Sequence, residues 1–388
     1  MPIPRHRIFD RTKPVTCHCV SRCVRRLGLL AAEERRRAIA IRLAQLVRVF
    51  AIDVLEWSAL SNHFHLVAAT HPDLASLWDD REVATRWRTL SPDYAWRRRT
   101  RIDTTLPAQP EEIEAALKIP GLIARWRTDL ADLSVFHKFL KQRLARLINL
   151  QDDVTGHCFQ GRFKSIVALD EEAVIAHMVY VALNPIRAAM AKTLEDYEFT
   201  SIADRVVELR EHISRGEFAG EAAAARRKLR SLSLMPALPC EPGPAAGRAR
   251  TLPGGLSNPW FGGRRPLPIA GVTLAAYLTT VDAVGRMRRD GTRGVIRPST
   301  PSPLAALEGT LLRRLTGGPQ KALRDSAPHI HAVEIAMARG PDNPRGNFSG
   351  SVASLARAAI ASGRRRIVGI TSLLRGDAPP VGARSRDG

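Results

Sequence analysis

The sequence predicts an α+β protein: an antiparallel sheet with helices on one or both faces, followed by a mostly helical or irregular basic extension. Two patterns carry this. The residues up to Thr70 read as strand, amphipathic helix, strand, strand. Beyond about Arg215 the composition shifts toward Pro, Gly and Arg, which reads as linker and loosely structured chain.

Val15 to Ser21 alternates weakly between apolar and polar residues, as a short strand does. Ala32 to Phe50 places Ile39, Ile41, Leu43, Leu46, Val47 and Phe50 at near-helical spacing among arginines. Ile52 to Leu60 is apolar and β-branched, Ser61-Asn62 breaks it, and His63 to Thr70 is a second apolar run, so the two predict an antiparallel hairpin. This order is that of a ferredoxin-like half. Asp73 to Arg127 is polar, contains tryptophans and is interrupted by prolines, which predicts helices and a loop inserted at about 73–132. Leu133 to Leu150 puts Leu133, Phe136, Leu140, Leu144 and Leu147 on one helical face, with Lys138, Lys141, Arg143 and Arg146 elsewhere. Gly156 to Leu169 reads as a strand or hairpin. Asp170-Glu171-Glu172 supplies the negative charge that favours a helix N-terminus, and Pro185 is expected to end or bend that helix at Asn184. The organisation is then a domain over 1–215, a linker over 216–270 and a basic extension over 271–388. In the extension Val272 to Arg289 predicts a helix, and Leu304 to Leu315 and Ser351 to Ser362 are weaker helical segments.

The charge narrows the partners. Lys and Arg number 59 against 38 Asp and Glu, a formal net charge of +21. Such a surface attracts polyanions, nucleic acid first among them. A hydrophobic content of 45% argues against wholesale disorder. No run reaches the ~18 apolar residues of a membrane helix. Met1 to Arg11 is basic with no apolar stretch after it, and five cysteines do not make a paired disulfide framework. The expectation is a cytoplasmic, nucleoid-associated protein with no membrane partner.

Four clusters bear on chemistry. His63 and His65 alternate with Phe64, so on a strand both imidazoles share one face while Phe64 enters a core. They are either a pair of ligands for one divalent metal or solvated strand histidines. Tyr180 and Asn184 are four apart, hence neighbours on a helix, with His177 one turn earlier. A phenol beside a metal is a candidate nucleophile for phosphoryl transfer, and the bland alternative is a packed tyrosine before a turn. In Gly161-Arg162-Phe163-Lys164-Ser165, Arg162 and Lys164 would share a strand face for phosphates, while Phe159 and Phe163 would stack on bases or pack in a core. Lys138 and Arg143 join Arg162, Phe163 and Lys164 as candidate DNA contacts. Cys17, Cys19 and Cys23 lack a matching second cysteine pair, which favours a buried strand over a zinc site.

In order, these motifs are Cys17-His18-Cys19-Val20-Ser21-Arg22-Cys23, Ser61-Asn62-His63-Phe64-His65-Leu66-Val67, Gly156 through Ser165, and Tyr180-Val181-Ala182-Leu183-Asn184-Pro185-Ile186-Arg187-Ala188. Over about residues 1–205 the chain resembles the REP-associated tyrosine transposases, a branch of the single-tyrosine HUH transposases related to those of insertion sequence 200. The resemblance implies a ferredoxin-like HUH domain over 1–215, with His63, His65 and Asn184 as ligands of Mg²⁺ or Mn²⁺ and Tyr180 as nucleophile. It also implies cleavage and rejoining of single-stranded DNA near hairpins of palindromic repeats, through a 5′-phosphotyrosine intermediate, by a monomer or homodimer. A catalytically inactive, domesticated hairpin-binding protein is the alternative, and a structural nucleic-acid-binding protein with an incidental His pair is a third reading.

Overall fold

The two apolar runs pair as expected, and the strand before them adds to the same sheet. A computed structural model describes residues 10–101, 107–214, 228–230, 268–287, 294–303, 348–349, 354 and 357–358. The chain divides into two compact units, described separately below. The first holds 1–164, 195–204 and 230–269, and the second 165–194, 205–229 and 270–388.

In the first unit β1 (Val15–Arg22), β2 (Ile52–Ala59) and β3 (His63–Thr70) form an antiparallel sheet in the order β2-β3-β1. The register pairs Val20 with His65 and Arg22 with His63 across β1 and β3, and Ser58 with His65 across β2 and β3. Helix α1 (Glu33–Val47) connects β1 to β2, with Glu33 and Glu34 in its first turn. Five short helices follow: α2 (Pro72–Ser76), α3 (Asp80–Leu90), α4 (Tyr94–Thr100), α5 (Pro110–Leu117) and α6 (Leu122–Asp129). A fully buried ion pair, Arg97 to Glu112 at 2.9 Å, ties α4 to α5. Helix α7 (Leu133–Gln151) is capped by Asp132, whose carboxylate accepts from the Ser134 and Val135 amides.

Strand alternation sorts β3. Phe64 points to the helical side, where its ring lies 6.3 Å from that of His137 on α7 and 6.1 Å from Phe159. Leu66 and Trp57 share that face, and Phe136, Leu140, Leu144 and Ile148 of α7 are buried, as are Ile39, Leu43 and Leu46 of α1. The strand predicted over Gly156 to Leu169 is shorter. Gly156 and Gly161 sit at φ of 119° and 55°, conformations that favour glycine, and only β4 (Lys164–Ala168) is extended.

The free edge of β2 is closed by a segment far along the chain. The Ala59 amide donates to the Phe199 carbonyl at 2.9 Å, Tyr197 Oη donates to the Ala59 carbonyl, and Thr200 Oγ1 donates to the Trp57 carbonyl. The Trp57 amide donates to Ser201 Oγ at 2.9 Å, and that hydroxyl donates to the buried Glu56 carboxylate. Ser201 opens α9 (Ser201–Ser214). Backbone groups that would otherwise template another strand are thereby satisfied.

In the second unit α8 (Glu171–Arg187) is capped by Asp170 and packs against α10 (Leu274–Arg286), which lies within the predicted Val272 to Arg289 helix. Of the two outcomes expected of Pro185, ending α8 at Asn184 is corrected: the helix runs to Arg187 with Pro185 inside it. Pro185 lies in the last turn, so it forfeits one intrahelical bond, and burial of Leu183, Asn184 and Ile186 outweighs that loss. Arg187 donates to the Val284 and Met287 carbonyls and satisfies the end of α10. A Cβ on Gly294 would strike the Ile186 carbonyl oxygen, so only glycine fits there. Strand β4 pairs in parallel with Phe348–Ser349 through Val167 and Ala168. Most of 216–270 and the segments Leu304 to Leu315 and Ser351 to Ser362 lie outside the described residues, apart from a few positions. Among the described residues no helix is long and apolar enough to cross a membrane.

The other face of the sheet carries a polar inlay. His18 and His65 are buried and share a 2.9 Å hydrogen bond between Nε2 and Nδ1, and His63 lies beside them. Burial, with the Arg22 guanidinium second, pushes the His63 imidazole down to about 4, and burial holds His65 well below the usual histidine range. Both are neutral near pH 7. A histidine depressed in the folded state binds its proton more readily when unfolded, so its stability contribution is full above the ordinary 6.5 and declines as pH falls toward 4. Urea midpoints at pH 7.5 and pH 5 should therefore show a loss of about 2 kcal/mol attributable to His63 alone. His63→Gln should lose correspondingly less between those two pH values.

Candidate active site

The alternation that buries Phe64 sends His63 and His65 out together on the opposite face, with ring centroids 4.9 Å apart. In each ring the Nδ1 atom is engaged. His63 Nδ1 lies 2.6 Å from the Asn62 carboxamide oxygen and donates to it. His65 Nδ1 lies 2.9 Å from His18 Nε2. His63, donating from Nδ1, leaves its Nε2 lone pair for another partner, the tautomer that a cation ligand adopts, and the His65 ring does the same in the tautomer whose Nδ1 donates to His18. Neutrality at pH 7 serves the same end, because a protonated imidazole cannot coordinate. Asn62 and His18 are thus the outer partners of the predicted pair.

Sequence reasoning did not connect His18 to His65. The connection needs the β1–β3 register, which sets Val20 against His65 and so puts His18 one step along the same face. The same register brings Arg22 opposite His63. Cys17, Cys19, Cys23 and Cys158 are buried free thiols, and Cys17 and Cys19 face the helical side with Leu66 and Phe64. Among the described residues no group of three or more His, Cys, Asp and Glu side chains is placed to hold a metal. His63 and His65 could offer a divalent ion two neutral imidazoles, and oxygen ligands would have to complete its shell. That suits a divalent ion of borderline hardness such as Mn²⁺, and Mg²⁺ less well.

Tyr180 and Asn184 stand one turn apart on α8, in the second unit, with His177 one turn before Tyr180. Tyr180 is half-buried and His177 fully buried. The Asn184 side chain is buried, and its amide nitrogen finds no hydrogen-bond partner among the described residues. A buried carboxamide left incompletely bonded is costly, and such groups commonly await a ligand, ion or water. Either end of the amide suits that role, because oxygen and nitrogen are exchanged by a flip of the side chain.

The expected DNA contacts separate. Arg162 and Lys164 are exposed, but Arg162 sits in the turn after Gly161 rather than on the strand that begins at Lys164, so the shared strand face is corrected. Phe163 is buried and stacks on His137 with centroids 3.7 Å apart, and Phe159 is buried as well. Rings so covered offer no face to a base, which corrects the stacking role expected of both. Lys138 and Arg143 are exposed on α7, the helix that covers the Phe64 face, so they stand away from His63 and His65.

No family model matches the sequence, and no curated protein matches it. Among solved structures the chain is similar to that of a REP-associated tyrosine transposase bound to a REP hairpin, at 12% identity and a TM-score of 0.30, over 52% of this chain and 81% of that one. So low a score does not establish a common fold, and the functional reading rests on the residues described above.

Proposed function

We propose that the protein is a metal-dependent DNA strand-transfer enzyme of the tyrosine transposase type, which cleaves and rejoins single-stranded DNA near hairpins. The observation that carries this reading is the engagement of Nδ1 in both His63 and His65, which readies the two rings as same-face Nε2 ligands. Solvated strand histidines have no need of such an arrangement. The ordered motifs from Cys17 to Ala188 supply the DNA and hairpin part of the proposal.

In this reading His63, His65 and the Asn184 carboxamide would hold Mg²⁺ or Mn²⁺, and such an ion would supply Lewis-acid withdrawal of charge from the scissile phosphate. Tyr180 Oη, having given up its proton to solvent, attacks phosphorus. The bond to the 3′ oxygen breaks, its electron pair stays on that oxygen, and a proton taken up there gives a free 3′-OH. The 5′ phosphate remains esterified to Tyr180. Attack on that ester by another 3′-OH runs the same steps in reverse, so joining needs no external energy source. His18 and Asn62 keep the proton of each ligand ring on Nδ1, and the cationic surface retains the strand.

Three outcomes test this. Incubated with labelled single-stranded DNA containing an imperfect hairpin and Mn²⁺, the native protein should form an adduct stable on a denaturing gel, and Tyr180→Phe should form none. Absence of an adduct on any hairpin, with tight hairpin binding retained, would instead favour the domesticated binder. Followed by the loss of the free Mn²⁺ signal in electron paramagnetic resonance, affinity should fall at least tenfold in His65→Ala and in His63→Ala. His18→Phe should weaken Mn²⁺ binding by about 10- to 100-fold, as loss of an outer-shell partner does, and His18→Gln should restore part of it. Equal loss in both His18 variants, with melting temperatures unchanged, would remove His18 from this role.

A further inference from the structure

A groove of about 1160 Å³ runs between α1, α3 and α7 in the first unit. It lies in the helical layer over the Phe64 face, on the other side of the sheet from the imidazoles. Arg42, Arg48, Arg86, Arg143 and Arg146 line it together with Tyr94, and among the described residues no carboxylate contributes to its wall.

Several arginines elsewhere in this unit are paired with carboxylates. Arg35 meets Asp152, Arg37 meets Glu33 and Glu198, Arg88 meets Asp93, Arg97 meets Glu112 and Arg127 meets Asp80. In the groove only Arg86 has an acidic partner among the described residues, Glu82 at 2.6 Å. Arg42 donates to the neutral Gln45 side chain, and its Nε is buried with no hydrogen-bond partner among the described residues. Arg48, Arg143 and Arg146 form no ion pair among the described residues. Burial, then repulsion from Arg143, lowers the Arg42 guanidinium to about 10, so it keeps its charge at neutral pH. Like charges gathered without counter-charge raise the energy of the free protein, and a polyanion relieves it.

We propose that this groove is a second nucleic-acid-binding surface that takes the phosphodiester backbone of a single strand, with a base stacked on Tyr94. Three features select that occupant. The guanidiniums present planar forks matched to phosphate oxygens. The volume exceeds the ~300–1,000 Å³ of small-molecule pockets. The site is concave, which admits a strand but not a flat lipid headgroup layer, and Tyr94 is 56% exposed beside the charges, the pairing of aromatic and cation that single-strand grooves use. The inference rests on the first unit alone and stands whether or not Tyr180 is a nucleophile.

The test uses the full chain carrying Tyr180→Phe, in EDTA, with a fluorescent oligothymidylate that forms no hairpin, so neither metal nor cleavage contributes. Anisotropy titrations across salt concentrations give the slope of log affinity against log salt. Arg143→Gln with Arg146→Gln should weaken binding at least tenfold and flatten the slope by ~1.4, at ~0.7 per phosphate contact. Lys118→Gln with Arg125→Gln, exposed cations outside the groove, removes the same charge and should leave the slope unchanged. Photocrosslinking with 5-bromodeoxyuridine should label Tyr94. Equal effects of the two double variants would overturn the proposal, since the binding would then follow net charge alone. Loss of binding to phosphatidylserine vesicles with oligonucleotide binding intact would also overturn it, in favour of a lipid ligand. Arg143→Lys with Arg146→Lys keeps the charge and should retain most of the affinity, which separates charge loss from misfolding.

Discussion

Burial on both sides of β3 is the constraint from which the rest follows. A strand must send neighbouring side chains to opposite faces, and here both faces are covered, so a slip of one residue would drive Phe64 into the imidazole cluster and His63 and His65 into the helical core. Phe64 locks against His137 and Phe159, and that lock fixes the direction of the two histidines. The hydrogen bond to His18 can form only in this register. The candidate site is thus a by-product of hydrophobic packing on the face it does not occupy.

That logic explains what was legible in the sequence. Alternation within His63-Phe64-His65 needs no partner strand, so the shared face of the imidazoles was readable directly. The periodicity of Leu133 to Leu150 likewise gave α7 its buried face. His18 was not readable as a partner of His65, because 47 residues separate them and only strand pairing makes them neighbours. The aromatics of Gly156 to Ser165 stayed undecided between base stacking and core packing for a related reason. Period and composition cannot tell a ring awaiting a base from one already stacked, and His137, which covers Phe163, comes from a helix earlier in the chain. Pro185 does not end its helix, because the rule that bars it is local whereas the helix is held by burial against α10.

The distribution of charge carries a second lesson. A net charge of +21 says only that anions are attracted. Pairing says where. The first unit pairs several of its arginines with carboxylates and gathers five others along one groove, four of them without an ion pair among the described residues. Arg143, singled out from the polar side of its helix, falls in that group, yet its companions Arg42, Arg48 and Arg86 come from elements far away in sequence. Composition gave the sign of the partner, and tertiary structure alone gave an address.

The strap across the edge of β2 sets an order of events during synthesis. Tyr197 and Ala59, which it joins, are 138 residues apart in the chain. At ~5–20 residues per second, the sheet waits about 7 to 30 seconds on the ribosome before the segment that seals its edge is made. The first unit is therefore discontinuous in time as well as in sequence, since residues of the second unit emerge before it can close. Over that interval the nascent chain carries an open strand edge, and neighbouring chains on one messenger would find it available for pairing.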